Sequence, residues 1–329
     1  MKVTENEIRP EAMFDEYLRL AAADTIAYFK NAKRETINCP ACGVRGKLLF
    51  DKSGFQYEKC PSCKTIYVSP RPVKEAFNSY YTDSPSTKFW ATTFYKVTEN
   101  ARREKLWKPK ALLVKSTIEK YQQDNTVKNI IDIGGGYGVF DEEIKNIMDV
   151  NIVVIEPSVH LAKICRAKGF HTIEKFMEDL EKDELPPERN CFVSFELFEH
   201  LHDPQLFMEI MYKSMKTGDM FIFTTLSGMG IDIMLLGEQS KSLSPPHHLN
   251  FMNPKSITQF MKKIGFHMLE VTTPGKLDID IIDKSRQYIK DKSWISLLEY
   301  MDEHDKEEMQ TKIAKLGLSS HMMITCTKN

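Results

Sequence analysis

Ile131-Asp132-Ile133-Gly134-Gly135-Gly136-Tyr137-Gly138 joins a short apolar run to a glycine turn, and its reading decides the fold. The run from Asn129 to Ile133 is strand-like, and Val139, Phe140, Ile144 and Ile147 beyond the turn recur at helical spacing. A strand, a glycine turn and a helix in succession open a doubly wound nucleotide-binding sheet. Glycine lets the backbone turn sharply there and come close to a ligand. Spacing then limits the ligand. A dinucleotide fingerprint needs G-x-G-x-x-G, but the sixth position is Val139 counted from Gly134 and Asp141 counted from Gly136. No Gly-Lys-Ser/Thr follows to cradle a phosphate. What remains is Asp-x-Gly-x-Gly-x-Gly, with Glu156 at the end of the next strand. A carboxylate there can accept hydrogen bonds from both hydroxyls of a ribose. The pattern suits a ligand with adenosine but no pyrophosphate, with Asp132 placed to position a cationic end. The alternative is a glycine turn that only packs strand on helix.

Toward the C-terminus, strands and helices alternate. Further strands are expected at 152–155, 170–173, 191–195 and 220–224, and a helix over 161–168 that stops at Gly169. Asp203-Pro204 and Asn253-Pro254 read as helix N-caps with proline at the first helical position. Leu206, Phe207, Ile210 and Met211 are expected to bury one face of the first helix, which Gly218 would end. Ile257, Phe260, Met261 and Ile264 do the same for the second, which stops at Gly265. Continuous apolar strands separated by helices imply a parallel sheet covered on both faces, an α/β fold. The charged run 302–312 reads as a solvated helix face.

Toward the N-terminus, a helix is expected from about Pro10 to Lys30, then a segment rich in Cys, Pro and Gly up to Pro70. Cys39-x-x-Cys42 and Cys60-x-x-Cys63 each place two thiolates on a tight turn, and two such turns close a tetrahedral four-sulfur site. The spacing is that of a zinc ribbon. A rubredoxin-type iron site and redox disulfide exchange are the alternatives. A four-thiolate cage has no open position, so its role is structural. Residues from Val73 to about Tyr121 read as mostly helical, with an aromatic centre at Tyr80, Tyr81, Trp90, Phe94 and Tyr95 that could cover a substrate or simply pack helices. The expected division is an N-terminal helix (1–36), a zinc ribbon (37–70), a helical linker or cap (71–125) and a cofactor domain (126–329).

The chain has 329 residues, 42% of them apolar, and its net charge of -1 argues against gripping a nucleic-acid backbone as the main task. Met1-Lys2-Val3-Thr4-Glu5-Asn6-Glu7 is too polar for a signal peptide, and no apolar run is long enough to span a bilayer. With seven cysteines clustered as described, a reducing, cytoplasmic setting is expected.

Residues from about 128 to 329 resemble class I S-adenosylmethionine-dependent methyltransferases. The resemblance is carried by the glycine motif, by Glu156 and by Phe195-Glu196-Leu197-Phe198-Glu199-His200-Leu201-His202-Asp203-Pro204. Pro245-Pro246-His247-His248-Leu249-Asn250-Phe251 and Leu318-Ser319-Ser320-His321-Met322 resemble a bacterial subgroup. That subgroup often has an N-terminal cysteine-rich segment and acts on sugars, surface-glycan or secondary-metabolite precursors. The resemblance implies a Rossmann-like methyltransferase sheet that binds S-adenosylmethionine and releases S-adenosylhomocysteine. It implies that Asp132, Gly134 and Gly136 contact the methionine part and that Glu156 holds the ribose. Met177 and Glu178 would flank the adenine, and Glu196 and Leu197 would line the methyl-bearing end.

Methyl transfer from a sulfonium needs alignment more than acid–base help, but a hydroxyl or carbon nucleophile must lose a proton. Histidine suits that task near neutral pH. His200, His247 and His248 all follow carboxyl ends of expected strands, where such sheets bind ligands. The resemblance favours His248 as base, with His200 or Glu199 assisting; the alternative is that these histidines fix loops. The expected partner is a small-molecule acceptor, a sugar nucleotide among the candidates, methylated on oxygen. Carbon or nitrogen methylation, RNA methylation with the ribbon as grip, and a non-catalytic cofactor-binding module are the competing readings.

Overall fold

The computed structural model describes residues 4–122 and 127–329. The first three residues and the expected boundary at 125/126 lie outside the described residues. Thirteen strands are described: β1 (Arg34–Glu35), β2 (Lys47–Lys52), β3 (Phe55–Lys59), β4 (Ile66–Val68), β5 (Arg71–Pro72), β6 (Asn129–Ile133), β7 (Asn151–Ile155), β8 (His171–Ile173), β9 (Asn190–Phe195), β10 (Met220–Leu226), β11 (Asn250–Phe251), β12 (His267–Thr272) and β13 (His321–Thr327).

Seven of them form the main sheet, in the order β12-β13-β10-β9-β6-β7-β8. β8, β7, β6, β9 and β10 run parallel. β13 runs antiparallel to both β10 and β12, so the sheet is mixed where the sequence pattern implies only parallel strands. Alternation along each strand feeds two cores. Ile131, Ile133, Phe192, Phe221 and Phe223 face one layer, with Phe207 and Met211 of helix Pro204–Ser214 and Phe260 of helix Pro254–Ile264. Ile130, Val154, Val193 and Ile222 face the other, with Val114 and Ile118 of helix Lys108–Tyr121 and Phe140 and Ile144 of helix Val139–Lys145. From β6 the chain proceeds to β7 on one side and from β9 to β10 on the other. The carboxyl ends of β6 and β9 therefore flank a topological switch point, where open α/β sheets bind ligands.

Both expected N-caps form. Asp203 accepts from the Leu206 N–H at 3.0 Å, and Asn253 accepts from Lys255 and Ser256 at 3.1 and 3.0 Å. The buried stripe of helix Pro204–Ser214 is Pro204, Phe207, Met208 and Met211. Leu206, expected inside, is 46% exposed, because two residues' separation turns it roughly 200° from Met208 around the helix. That helix ends at Ser214, and Gly218 serves instead, at φ 88°, in the turn that enters β10.

The cysteine-rich segment does not stand apart. β2, β3 and β4 form an antiparallel sheet completed by β11 from the C-terminal half, with Tyr67 opposite Asn250 and Ile66 opposite Phe251. The Arg71 side chain is buried beside this seam and donates to the His202 carbonyl at 2.5 Å and to Asn250 Oδ1 at 3.0 Å. Residues 74–121 are helical throughout apart from Ser84, with wider π turns at Trp90–Phe94 and Arg103–Trp107. This helical span packs over the glycine turn. Tyr95 stacks on Tyr137 with centroids 3.9 Å apart, and Arg103 donates to Glu143 at 2.6 Å and to Glu142 at 2.5 Å. No described helix is long and apolar enough to cross a membrane.

Candidate active site

The glycine turn is built by close approach. Gly134, Gly136 and Gly138 all have positive φ, of 76°, 56° and 65°. Gly135 has no such φ but is equally constrained, since a Cβ there would meet Val154 Cγ1 at 2.6 Å and Asp132 Oδ2 at 3.1 Å. A Cβ on Gly136 would meet nothing within 4 Å, so this glycine serves its φ and an open face. Leu197 lies against Gly134, 3.7 Å from where a Cβ would stand, which joins the turn after β6 to the turn after β9.

Glu156 is buried at the end of β7. Its Oε2 accepts from the Gly136 N–H at 3.0 Å and its Oε1 from Ser158 at 2.9 Å. Burial pushes this carboxyl above its usual range while these two bonds pull it back. The carboxylate thus fixes the turn. Asp132 is buried in β6, and burial with the neighbouring Asp141 charge holds its carboxyl well above the usual range. Met177 is buried in the core, with Glu178 beside it in the short helical turn Met177–Asp179.

Glu196 follows β9 with φ 54°, a strained value for a side chain of its size. Its Oε1 accepts from Thr224 at 2.7 Å and faces His321 Nε2 at 2.8 Å and Lys110 Nζ at 3.5 Å. Those opposite charges hold its carboxyl well below the usual range despite burial. Lys110 and Thr224 carry no sequence signal of their own; His321 lies in the tail segment already singled out.

The three other expected groups converge. Glu199, His200 and His248 each offer a ligand atom within 4.8 Å of the others'. Glu199 is buried and accepts from Thr225 at 2.8 Å; burial, then the Glu196 charge, pushes its carboxyl up to about 8. His200 Nδ1 lies 3.0 Å from the His247 carbonyl, and His248 Nδ1 lies 2.6 Å from the Ser242 carbonyl. A carbonyl only accepts, so both rings carry the proton on Nδ1 and leave a lone pair on Nε2. Burial pulls His200 down to about 4 and His248 to about 3, the latter helped by its neighbour His200, so both are neutral at physiological pH. His247 points elsewhere. Its ring takes a 2.5 Å hydrogen bond with the Tyr80 hydroxyl and packs on Tyr17. Of the aromatic centre, Tyr80, Phe94 and Tyr95 are buried, Trp90 is half-buried and Tyr81 is exposed.

The four paired cysteines lie together, with Cys39 Sγ 3.5 Å from Cys63 Sγ and Cys42 Sγ 3.4 Å from Cys60 Sγ, and all four sulfurs within 4.8 Å. None is in a disulfide. Gly43 and Lys64, each one residue past its pair, take positive φ (77° and 64°) in matching turns. Four thiols converging on one point fit a tetrahedral zinc with S–Zn of about 2.3 Å and leave no open position. Asn253 Nδ2 donates to the Cys63 carbonyl at 2.8 Å, which ties this knuckle to the N-terminus of helix Pro254–Ile264.

A family model described as a methyltransferase domain matches residues 101–271. The fold is similar to that of phospholethanolamine N-methyltransferase 2 from Haemonchus contortus, at a TM-score of 0.50 and 15% identity over 80% of this chain and 62% of that one. A SAM-dependent methyltransferase from Thermotoga maritima aligns at 0.44 and 17% identity, over 72% and 98% of the two chains. The plantazolicin methyltransferase bound to S-adenosylhomocysteine aligns at 0.48 and 15%, over 77% and 93%. No curated protein sequence matches.

Proposed function

The chain belongs to the methyltransferase-domain family and is an S-adenosylmethionine-dependent methyltransferase; from that premise we propose that it methylates a hydroxyl of a small acceptor, with His248 as the base. The acceptor we assign is a sugar, a sugar nucleotide or a related precursor, in line with the subgroup that the ribbon and the Pro245 to Phe251 segment resemble. The cofactor supplies an electrophilic methyl on a sulfonium. Asp132, Gly134 and Gly136 hold its methionine end, Glu156 its ribose, Met177 and Glu178 its adenine, and Glu196 with Leu197 line its methyl-bearing end.

One observation carries this reading. His248 and His200 both direct Nδ1 at carbonyls, beside Glu199 and beyond the ends of β9 and β10. With the cofactor supplying the methyl group, the proton of the acceptor hydroxyl would pass to His248 Nε2. Burial makes His248 a weak base when alone, so the imidazolium needs a counter-charge, which Glu196 provides at neutral pH and Glu199 adds once it ionises near about 8.

The test is transfer of labelled methyl to a library of sugars and sugar nucleotides, comparing wild type with His248→Gln. We expect H248Q to bind S-adenosylhomocysteine normally and to lose about 100-fold or more in kcat. Full turnover by H248Q with normal cofactor affinity would remove His248 from the mechanism. Calorimetry in which NAD binds and S-adenosylhomocysteine does not would overturn the cofactor roles given to these residues.

A further inference from the structure

Two arginines come from packed N-terminal segments. Arg9 follows helix Glu5–Ile8, which packs on helix Tyr95–Arg102, whose last residue is Arg102. Both guanidiniums are partly enclosed, and the Nε of each is buried with no hydrogen-bond partner among the described residues. Neither forms an ion pair among the described residues. What they touch is aromatic: Arg9 lies 5.2 Å from the Phe14 ring, and Arg102 lies 5.7 Å from both Trp90 and Tyr95. A planar guanidinium stacked on rings is held in place while its N–H fork stays available.

Their surroundings locate them. Burial pulls Arg102 down to about 10, with Arg9 repelling it and Glu196 opposing the shift. The Arg9 charge is also felt at His248. The ring contacts place Arg102: Trp90 packs on Tyr17, which stacks on His247, while Tyr95 stacks on Tyr137 of the glycine turn, so the guanidinium lies between the histidine loop and that turn. Carboxylates around the pair are already committed, Glu99 to Arg103 among them. Glu196 is taken by Lys110, Thr224 and His321, and Glu199 by Thr225. Two enclosed cations with no anion of their own are costly, and the cost is recovered when an anion binds.

We propose that Arg9 and Arg102 form an oxyanion site on the histidine-loop side, so that the methyl acceptor carries a phosphate or carboxylate group. The forked N–H groups match the paired oxygens of either group. The proposal rests on the reading of the His248 side as the acceptor site, and it narrows the substrate class from small hydroxyl compounds to anionic ones. It also gives the N-terminal helices a task, since Arg9 lies well outside the matched methyltransferase domain.

The test uses the full chain saturated with S-adenosylhomocysteine and titrated with inorganic pyrophosphate by calorimetry, for wild type, Arg9→Gln, Arg102→Gln and the double variant. Saturable binding is expected in wild type, weakened about tenfold in each single variant and lost in the double, with S-adenosylhomocysteine affinity unchanged within about twofold. Raised sodium chloride should weaken it further. No saturable binding to the wild-type complex, or binding that the variants leave intact, overturns the proposal. A tenfold or greater loss of S-adenosylhomocysteine affinity in R9Q or R102Q also overturns it, by assigning the guanidiniums to the cofactor's own carboxylate. Should R102Q fail to fold, R102K, which keeps charge without the fork, is expected to weaken pyrophosphate alone. Failure of wild type to bind S-adenosylhomocysteine would instead strike at the cofactor reading, so the two failures are separable.

Discussion

The Val68 N–H, in the cysteine-rich segment, donates to the carbonyl of Leu249, the residue after His248, at 2.9 Å. Tyr57 reinforces the link by donating its hydroxyl to the His248 carbonyl at 3.0 Å. The metal knuckle thus holds the strand that holds the candidate base. Zinc should be present at one ion per chain, and its removal should act on the acceptor side. Cys60→Ser, or prolonged chelation, is expected to lower kcat/KM at least tenfold while S-adenosylhomocysteine affinity changes less than about threefold, because the glycine turn and Glu156 stand on strands the ribbon does not pair with. Metal analysis with paired calorimetry and kinetics checks this; equal loss of both would show that the ribbon supports the whole fold instead.

Asp141 is fully buried in helix Val139–Lys145, its carboxyl oxygens meet no donor among the described residues, and it lies close to the buried carboxyl of Asp132. Burial pushes Asp141 from the ordinary 3.8 up to about 7. A carboxyl raised by folding is tolerated while protonated. Its ionisation costs stability as pH climbs from the unfolded value through the folded one, and the full cost is reached only above about 7. Asp141→Asn in the cofactor-free protein should therefore raise the melting temperature by several degrees at pH 8, since each tenfold change in a proton-binding constant is worth about 1.4 kcal/mol. The gain should be much smaller at pH 5. A larger gain at pH 5 than at pH 8 would contradict the assignment of cost to the ionised form.

Much of this architecture is legible because local signals and tertiary structure agree. The run from Asn129 to Ile133 is β6, and Asp203 and Asn253 cap the helices they announce. β12 and β13 escape such a reading because His267–Thr272 lacks an alternating apolar pattern and His321–Thr327 follows a charged helix with no turn signal beyond Gly317. The cysteine pairs, Glu199, His200 and His248 can be read from residue type and spacing, since thiols and imidazoles bear their chemistry visibly. Lys110, Arg9 and Arg102 cannot. A lone cation on a helix reads as solvated surface until packing turns it inward. His247 and His248 are adjacent and chemically alike, and only the fold separates them, one toward Tyr80 and the other beside Glu199.

Glu156 fixes the turn and, in the proposed reading, also meets the ribose of the cofactor. Its removal leaves the Gly136 and Ser158 N–H groups without their acceptor and removes the charge that a ribose diol would meet. Glu156→Ala is expected to weaken S-adenosylhomocysteine about 10- to 100-fold, the worth of one or two charge-assisted bonds. Glu156→Gln, which keeps an acceptor for Gly136, should lose less. Calorimetry on both variants decides it, and unchanged affinity in E156A would move the ribose contact elsewhere.

Glu199 sets the expected pH dependence. Its carboxyl is pushed up to about 8, so at neutral pH it is mostly protonated and offers His248 no charge. As pH rises through about 8 the carboxylate forms, and an imidazolium at His248 gains its counter-ion. The rate constant kcat/KM should then rise with pH and level off above about 8. A histidine base with its ordinary proton affinity would instead place the rising limb near ~6.5. Glu199→Gln keeps the Thr225 contact in shape but cannot ionise. It should flatten the limb and lower the plateau by about 100-fold, with cofactor affinity preserved. A pH profile for E199Q that still rises through about 8 would place the titrating group elsewhere and leave Glu199 as a packing residue beneath the histidines.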